Sequence, residues 1–406
     1  MSPMRTSERP LARLGSAIDR AILGFVGGRL RCGRLIVRLP DGRVRAFAAR
    51  ADGPTARVDL HDTSVLRRLA ATGAIALGEG YIDGRYDSPD LAALIELGAL
   101  HMEPGYRAEV PDAVQRGLRR AWRRLGRAFE TRGPVRDIVH HYDLGNEFYA
   151  AWLDPTMTYS SAVFARDDTS LEVAQREKYR RLAEAAGIRD GHRILEIGSG
   201  WGGFAAYLAR ERGADVTTMT VSREQATHVE KLAAEAGLAD RLRVELRDFG
   251  EAEGTFDRVV SVEMIESIPG HRWAEFFRVV SDRLTAHGRA GLQIITVADR
   301  HWTWSDENPD FVRRYIFPGG QVPAPGVLRR LTQDAGLRWV TNTEYGPSYT
   351  RTLRGWRDRF DAAWPDIAEL GFDESFRRMW RYYLSYCEGG FASGRTDVSQ
   401  IVLERR

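Results

Sequence analysis

The segment that most constrains the fold is HRILEIGSGWGGFAAYLA, residues 192–209, where a short apolar run leads into a glycine-rich turn and then into a helical pattern. An apolar run of this length, bounded by a glycine turn, is typical of a strand buried on both faces. Strand and helix patterns alternate from there through ADVTTMTVS, REQATHVEKLAAEAGL, FDRVVSVEMIESI and AGLQIITVA. This alternation predicts a Rossmann-like, doubly wound α/β sheet that is mostly parallel.

The chain is long enough for two domains, because single cores rarely grow past about 250–300 residues and this chain has 406. Arg34–Arg50 alternates apolar and charged residues about a Pro-Asp-Gly turn, which is typical of a hairpin. We therefore predict a smaller α+β domain over residues 1–105, a basic amphipathic linker helix over 106–135, and the catalytic α/β domain over 136–406.

The linker segment, PDAVQRGLRRAWRRLGRAFETRG, sets arginines beside leucine, tryptophan and phenylalanine at helical spacing. One interpretation is contact with an anionic membrane surface. Another is a solvated helix that packs its Leu/Trp face on the next domain. Nucleic-acid binding is disfavoured, because no nucleic-acid module accompanies the basic patch.

Composition narrows the class of protein. No apolar run approaches the roughly 18–20 residues that a membrane helix needs, and no signal peptide is evident. Two cysteines, Cys32 and Cys387, do not make a disulfide framework, so we expect a cytoplasmic protein with reduced thiols. The net charge is only +3, but the sequence pI of 8.9 and the clustered arginines favour an anionic surface as a partner.

The glycine turn indicates which ligand the α/β domain binds. Glu196 lies two residues before the first glycine, where a carboxylate can accept a hydrogen bond from an amino group. No P-loop Lys-Ser/Thr follows, so a nucleotide phosphate is not the obvious ligand. A ligand with an amino-acid end and an adenosyl end fits, and we predict S-adenosylmethionine. The turn residues expected to contact it are Gly198, Ser199, Gly200, Trp201 and Gly202.

Two further strand ends complete the predicted cofactor site. Thr220 and Gln225 follow the second strand and are placed to reach the ribose and methionyl groups. Asp248 and Phe249 follow the third strand and are placed to bond the adenine amine and cover its face. The competing interpretation is a nicotinamide-binding domain. Its GxGxxG spacing fits poorly here, and the acid that should end its second strand is missing.

Seven motifs occur in a fixed order: HYDLGNEFYAAWLDPTMTYSSAVF, LEIGSGWGGFAAYLA, TVSREQ, VSVEMIESI, RYIFPGG, SYTRTLRGW and YYLSYCEGGF. Over residues 130–406 the chain resembles the cyclopropane-fatty-acid synthase family, which includes the mycolic acid cyclopropane synthases. LGEGYIDGRYDSPDL is similar to the extra N-terminal domain of the bacterial members that act on phospholipids. The resemblance implies a class I S-adenosylmethionine-dependent methyltransferase fold.

The resemblance also implies a function. Family members transfer the methyl group of S-adenosylmethionine to a cis double bond of an acyl chain, usually in a membrane phospholipid. Cofactor contacts are implied at Tyr159, Ser160, the 194–202 turn, Thr220, Gln225, Phe249 and Gly250. A bicarbonate ion serves the family as base, and the matching pocket positions are Ser161, Glu266, Gln293, Ile295 and Tyr349. Cys387 matches a family cysteine once proposed as active. We expect a homodimer that associates peripherally with the inner face of the membrane.

The chemistry explains the many aromatic residues. An alkene is a weak nucleophile and its attack leaves a carbocation, so the reacting groups must be aligned in a dry pocket whose ring faces tolerate positive charge. The candidate rings are Tyr142, Phe148, Tyr149, Trp152, Tyr159, Phe164, Tyr315, Phe317 and Tyr349. The alternative is that most of them pack the core. Cys387 is expected to be a small buried residue, because methyl transfer to an alkene needs no covalent intermediate. His140 and His141 lack partners at zinc-ligand spacing, and we expect no metal.

Three departures from the family pattern bear on the product. Tyr159-Ser160-Ser161 stands where the family usually has Tyr-Ser-Cys, Gln293 replaces the pocket histidine, and Ser267 stands where a histidine is common. Methyl transfer is less affected by these changes than ring closure. A cyclopropane is the expected product. The alternatives are a methylene- or methyl-branched chain and a methylated diene or furan precursor.

Two other functions remain open on the sequence. One is a methyltransferase for a soluble small molecule with an amine or hydroxyl acceptor, which predicts activity without lipid vesicles. The other is a non-catalytic lipid-binding relative, which predicts tight cofactor binding without turnover.

Overall fold

The computed structural model describes residues 19–101, 144–303 and 310–406. Within them the chain forms two compact units. The first comprises residues 19–101, 310–316 and 371–393, and the second comprises residues 144–303, 317–370 and 394–406. The linker helix predicted over 106–135 lies outside the described residues, as do Tyr142, His140 and His141. The domain boundaries drawn from the sequence stay a prediction.

The first unit contains a four-stranded sheet in the order β2-β1-β3-β4. Its strands are β1 (Cys32–Arg38), β2 (Val44–Ala48), β3 (Ala51–Leu60) and β4 (Tyr86–Asp87). β1 and β2 pair antiparallel, which confirms the predicted hairpin, whereas β1 and β3 pair parallel.

Residues 19–27 of this unit are helical, and five further helices are described, two of which come from distant sequence. Their bounds are α1 (Ser64–Thr72), α2 (Ile75–Ile82), α3 (Leu91–His101), α9 (Phe311–Tyr315) and α13 (Glu374–Ala392). α13 packs closely on α3 at Gly389, where an added Cβ would lie 2.7 Å from the backbone nitrogen of Glu96. A glycine is needed there because the two backbones approach each other.

The second unit contains a seven-stranded sheet in the order β10-β11-β9-β8-β5-β6-β7. Its strands are β5 (Arg193–Ile197), β6 (Asp215–Thr220), β7 (Leu242–Leu246), β8 (Phe256–Val262), β9 (Leu284–Val297), β10 (Leu337–Glu344) and β11 (Thr396–Arg405). β5 to β9 are parallel to one another, and β11 runs antiparallel between β9 and β10.

Helices flank this sheet and two buried apolar clusters lie against it. The helices are α4 (Gly145–Trp152), α5 (Leu171–Ala185), α6 (Gly203–Glu211), α7 (Arg223–Glu235), α8 (Trp273–Arg283), α10 (Pro325–Asp334), α11 (Gly346–Ala362) and α12 (Trp364–Glu369). The strand order reverses at β5, whose neighbours are β6 on one side and β8 on the other. Ligands of open α/β sheets bind beyond the carboxyl ends of the strands at such a reversal. A ligand is therefore expected to contact the residues that follow β5, β6 and β8.

None of the helices described by the structure is long and apolar enough to cross a membrane.

Candidate functional site

The glycine-rich turn follows β5 directly and leads into α6. Gly198, Gly200 and Gly202 all have positive φ, at 93°, 48° and 85°, a region that side chains with a Cβ rarely adopt. The backbone N–H groups of Gly198 and Ser199 both donate to the carbonyl of Met219 on β6, at 3.0 and 2.9 Å. A Cβ added at Gly200 would meet no described atom within 4 Å. The turn is thus held to the sheet while its glycine backbone stays open to a ligand.

The predicted contacts after β6 and β7 are also in place. Thr220 Oγ1 donates to Gln225 Oε1 at 2.8 Å, and Ser222 caps α7 by accepting from the Gln225 N–H. Asp248 accepts a bidentate ion pair from Arg272, which holds the pKa of that carboxyl below its usual value. These residues lie at the edge where the carboxyl ends of β6 and β7 meet, as predicted for a cofactor site. Their contacts with a cofactor stay a prediction.

Glu196 lies on β5, and its side chain already has a partner on the neighbouring strand. Its carboxylate is 2% exposed and accepts a 2.5 Å hydrogen bond from Thr218 Oγ1 on β6. Burial raises the pKa of Glu196 to about 8. The hydrogen bond predicted from the cofactor amine to this carboxylate stays a prediction.

A chain of aromatic rings begins at the glycine turn. Trp201 and Tyr149 have ring centroids 4.8 Å apart, and Tyr149 lies 5.5 Å from Tyr159. Tyr159 lies 5.3 Å from Trp356 of α11, and Trp356 lies 6.1 Å from Tyr349 of the same helix. Aromatic pairs at these separations are in favourable contact. The rings therefore connect the turn, residue by residue, to Tyr349.

The ring chain is anchored at both ends. Trp201 Nε1 donates to Asn146 Oδ1 at 2.8 Å, which joins the glycine turn to α4. At the other end the Tyr349 hydroxyl donates to Glu263 Oε2 at 2.6 Å. Phe317 also lies against Tyr159, with centroids 6.5 Å apart, and 41% of it is exposed. Tyr315, another of the predicted rings, belongs to the first unit, where its hydroxyl donates to Glu79. Its place in an acyl tunnel stays a prediction.

Glu263 gathers the polar side chains of the predicted pocket. Its Oε1 accepts from the backbone N–H of Ser161 and from Gln293 Nε2, both at 2.8 Å, and its Oε2 accepts from Tyr349. Gln293 Nε2 also donates to the Ser161 carbonyl at 3.1 Å. Three positions predicted to surround an anion therefore surround the carboxylate of Glu263, a residue that the sequence did not single out.

The sheet register explains how these groups meet. β8 ends at Val262, which pairs with Gln293 in the carboxyl-terminal half of β9, and the Glu263 N–H donates to the Gln293 carbonyl at 2.8 Å. Gln400 of β11 pairs with Gln293 from the other side and donates to its Oε1 at 3.0 Å. Glu263 has a φ of 51°, a left-handed conformation that costs a non-glycine residue about 1 kcal/mol or more. Such strain is concentrated at functional sites, so Glu263 is a candidate functional residue.

Glu266, in the 3-10 turn Ile265–Ser267, is the second carboxylate here. Its Oε1 accepts from the Ile295 N–H at 2.5 Å, which brings together two more of the predicted pocket residues. Its Oε2 is buried and accepts no hydrogen bond from any described residue. Burial, followed by the charge of Glu263, raises the pKa of Glu266 to about 8. At neutral pH Glu266 is therefore largely protonated.

A buried lysine balances the charge of this cluster. Lys178 of α5 is fully buried and donates through Nζ to Ser160 Oγ at 2.7 Å. Burial lowers the pKa of Lys178 to about 7, although the charge of Glu263 opposes the shift. Burial also raises the pKa of Glu263, while its three hydrogen bonds and Lys178 oppose that rise. Lys178 and Glu263 thus stabilise each other's charged forms.

Cys387 belongs to the first unit. It lies on α13 in the first unit, partly buried, and burial raises the pKa of its thiol. A thiol with a raised pKa is a poor nucleophile, which favours the interpretation of Cys387 as a small packing residue.

Sequence reasoning missed five residues of this site: Lys178, Glu263, Trp356, Thr352 and Gln400. Thr352 Oγ1 accepts from the Ala162 N–H at 3.1 Å, and it is fully buried. One signal was available, since Glu263 is an acid that directly follows a buried apolar strand, at the sheet edge where ligands bind.

The chain matches known proteins over most of its length. Residues 129–401 match the family described as mycolic acid cyclopropane synthetase. The chain is 36% identical over 413 residues to the tuberculostearic acid methyltransferase UfaA1 of Mycobacterium tuberculosis (strain ATCC 25618 / H37Rv), with 98% of this chain and 93% of that protein covered. It is 32% identical over 367 residues to the cyclopropane-fatty-acyl-phospholipid synthase of Escherichia coli (strain K12), with 89% and 91% covered.

A solved structure matches as well. The mycolic acid cyclopropane synthase CmaA1, complexed with SAH and CTAB, aligns with a TM-score of 0.61 at 29% sequence identity. The alignment covers 67% of this chain and 98% of that chain.

Proposed function

The chain belongs to the mycolic acid cyclopropane synthetase family, and from this premise we propose that it transfers the methyl group of S-adenosylmethionine to the double bond of an unsaturated acyl chain in a membrane phospholipid. The family consists of enzymes that methylate or cyclopropanate lipid acyl chains with S-adenosylmethionine, so the chain is an S-adenosylmethionine-dependent methyltransferase. The predicted Rossmann-like class I methyltransferase fold is confirmed by the solved relatives. The phospholipid, the position of its double bond and the product are the proposed part.

The observation that carries the proposal is the ring chain that leads from the glycine turn to Glu263. It sets aromatic faces between the cofactor turn and a buried carboxylate, which are the surroundings that a carbocation intermediate requires. An amine or hydroxyl acceptor would need no such series of rings. This geometry therefore supports an alkene acceptor over a soluble small molecule.

The cofactor site fits the residues present. The positive-φ glycines of the 198–202 turn admit close approach of the amino-acid end, and Thr220 with Gln225 offers polar atoms to the ribose. S-adenosylmethionine, when bound, supplies the electrophilic sulfonium methyl group. Tyr159 and Trp356 exclude water and face the positive charge that develops on the acyl chain.

The product has two candidates. A cyclopropane is the prediction from the family motifs. A methylene- or methyl-branched chain is the second candidate, and a specific observation favours it. The relative that is matched over 98% of this chain is named as a tuberculostearic acid methyltransferase. The serine and glutamine at 161 and 293, which replace family residues, are in keeping with a changed fate of the cation.

Membrane docking and dimerisation are further parts of this proposal. The substrate is a bilayer lipid, and the basic segment at 106–135 supplies arginines for anionic head groups. We propose peripheral association with the inner face of the membrane and a homodimer, both tested by vesicle sedimentation and light scattering. A monomer that does not sediment with anionic vesicles would contradict both.

The deciding experiment incubates the protein with methyl-labelled S-adenosylmethionine and vesicles of unsaturated phospholipid, followed by gas chromatography and mass spectrometry of the fatty acids. Mild hydrogenation converts a methylene branch to a methyl branch and leaves a ring intact. Vesicles of fully saturated phospholipid are the matched control. Label in the unsaturated chain alone supports the proposal, whereas bound cofactor with no label in lipid overturns it.

A further inference from the structure

The carboxylate of Glu263 accepts hydrogen bonds from three positions that the family resemblance assigns to a bicarbonate pocket. The positions are Ser161, Gln293 and Tyr349, which donate through the Ser161 N–H, Gln293 Nε2 and the Tyr349 hydroxyl. A carboxylate and a bicarbonate ion present the same pair of charged oxygens. A separate bicarbonate ion does not fit this arrangement, because its donors are already engaged.

We propose that Glu263 is the built-in base of the reaction and takes the proton that the bicarbonate ion takes in the resembled family, an inference that rests on the proposed function. The methyl–sulfur bond breaks with its electron pair staying on sulfur, and the alkene π pair forms the new carbon–carbon bond. The adjacent carbon becomes a cation. A C–H bond of the transferred methyl group then breaks and its electron pair closes the ring, or a C–H bond of a carbon next to the cation breaks and its electron pair forms a double bond. In either case the proton passes to a Glu263 oxygen. S-adenosylhomocysteine and a neutral Glu263 remain, and Glu263 later returns its proton to water.

The surroundings of Glu263 suit a base. Three hydrogen bonds fix the orientation of the carboxylate, and the Lys178 ammonium keeps it ionised. Burial raises the pKa of Glu263, so the ionised carboxylate binds a proton more readily than a carboxylate in water does. Glu266, with its raised pKa, is largely protonated beside it and does not compete as a second anion. Ring contacts connect Tyr349 to Trp201 of the glycine turn.

The backbone at Glu263 supports a functional role over a purely structural one. Its φ of 51° places it in a conformation that glycine adopts freely and glutamate does not. A glycine there would remove both the strain and the carboxylate. The chain instead maintains a strained residue, which is typical of a position where the side chain is needed.

The first test uses the unmodified protein. We expect its methyl transfer to lipid to be unchanged when bicarbonate and dissolved carbon dioxide are removed from the buffer and then restored. Calorimetry with sodium bicarbonate should show no binding to the wild-type protein. Bicarbonate-dependent turnover, or bicarbonate binding by the wild-type protein, would overturn the proposal.

Two variants then separate the charge from the shape. Glu263→Gln is isosteric and keeps an oxygen for Ser161 and Gln293, while the Tyr349 hydroxyl is able to accept instead of donate. We expect turnover to fall by about 10²- to 10⁴-fold, as for loss of a general base, with cofactor affinity unchanged. A purely structural role predicts that Glu263→Gln stays active, and that result would also reject the proposal.

Glu263→Gly provides a gain of function as the third test. It opens the carboxylate position and relieves the strained φ, so we expect this variant to bind bicarbonate and to regain turnover as bicarbonate or formate is added. A variant that binds neither anion would count against the proposal. Wild-type protein that binds S-adenosylmethionine but labels no lipid would reject the proposed function instead. In that case the bicarbonate calorimetry still decides whether Glu263 fills the anion position.

Discussion

Tyr349 donates a 2.6 Å hydrogen bond to Glu263, although 86 residues separate them in the sequence. The contact joins α11, which carries part of the aromatic ring chain, to the end of β8, which carries the carboxylate. A hydrogen bond to a charged acceptor is stronger than one between neutral groups. This pair therefore fixes the base relative to the rings that face the acyl chain.

Removing that hydroxyl should impair turnover without unfolding the site. In Tyr349→Phe we expect turnover to fall by roughly 10- to 100-fold, because a hydrogen bond to a buried charge contributes about 1.5–3 kcal/mol. Cofactor affinity, measured by calorimetry, should not change. Tyr345→Phe, four residues earlier at the start of the same helix, is the matched control and should retain full activity. Equal turnover in the two variants would contradict the assignment.

The buried lysine should set the pH dependence of the reaction. Lys178 stabilises the ionised form of Glu263, so Lys178→Met should raise the pKa of Glu263. The ascending limb of the pH–rate profile should move to higher pH, by about one unit, since an opposite charge nearby shifts a carboxyl pKa by that order. Lys231→Met, at a lysine whose side chain is 73% exposed, is the control and should leave the profile in place. A profile that stays fixed in Lys178→Met would exclude this coupling.

Glu266 should make the protein less stable as pH rises. Its folded pKa of about 8 lies above the ordinary value of 4.5, so the native state holds a proton that the unfolded chain releases. Its stabilising contribution is complete below about pH 4.5 and is lost progressively up to about pH 8. In urea unfolding, the free energy of unfolding of Glu266→Gln should therefore exceed that of the wild type by more at pH 8 than at pH 5.5. Glu253→Gln is the control, because the Glu253 side chain is exposed. Its free energy of unfolding should differ from that of the wild type by the same small amount at both pH values.

The indole of Trp201 should contribute to cofactor binding. Trp201→Phe removes the 2.8 Å hydrogen bond to Asn146 and should loosen the turn that is predicted to contact the cofactor. We expect the dissociation constant of S-adenosylmethionine to rise about fivefold, which corresponds to the roughly 1 kcal/mol of one neutral hydrogen bond. Trp339→Phe is the matched control, because Trp339 Nε1 donates to Thr332 at 2.9 Å outside the ring chain. A similar loss of affinity in both variants would indicate a general destabilisation.

The close helix contact in the first unit should be sensitive to a single methyl group. In Gly389→Ala the new Cβ would lie 2.7 Å from the Glu96 nitrogen, and overpacking of this kind costs about 1–3 kcal/mol. Gly98→Ala adds a methyl to α3 with no described atom within 4 Å, and it should stabilise the helix by up to about 1 kcal/mol. Thermal unfolding should thus shift in opposite directions in the two variants. A shift in the same direction would refute the packing argument.

Local pattern was enough to predict the second unit's architecture. The period of apolar residues distinguishes a buried strand from an amphipathic helix, and a glycine turn between them fixes where the sheet meets its ligand. Gly198, Thr220 and Asp248 were therefore located at their strand ends from the sequence alone. The pocket residues Ser161, Gln293 and Tyr349 came from the family resemblance, since no local pattern relates segments so far apart.

The sequence by itself determined that the chain forms a Rossmann-like methyltransferase with a glycine-rich turn after β5. Only the tertiary structure showed that Ser161, Gln293 and Tyr349 all donate hydrogen bonds to Glu263. In the sequence, nothing distinguishes Glu263 from the other residues of VSVEMIESI. Its role depends on a left-handed φ and on three donors from β9, α11 and the loop before α5. Lys178 and Gln400 join it through sheet register and helix packing. Such contacts follow from the burial of long-range partners, which the periodicity of a local segment does not encode.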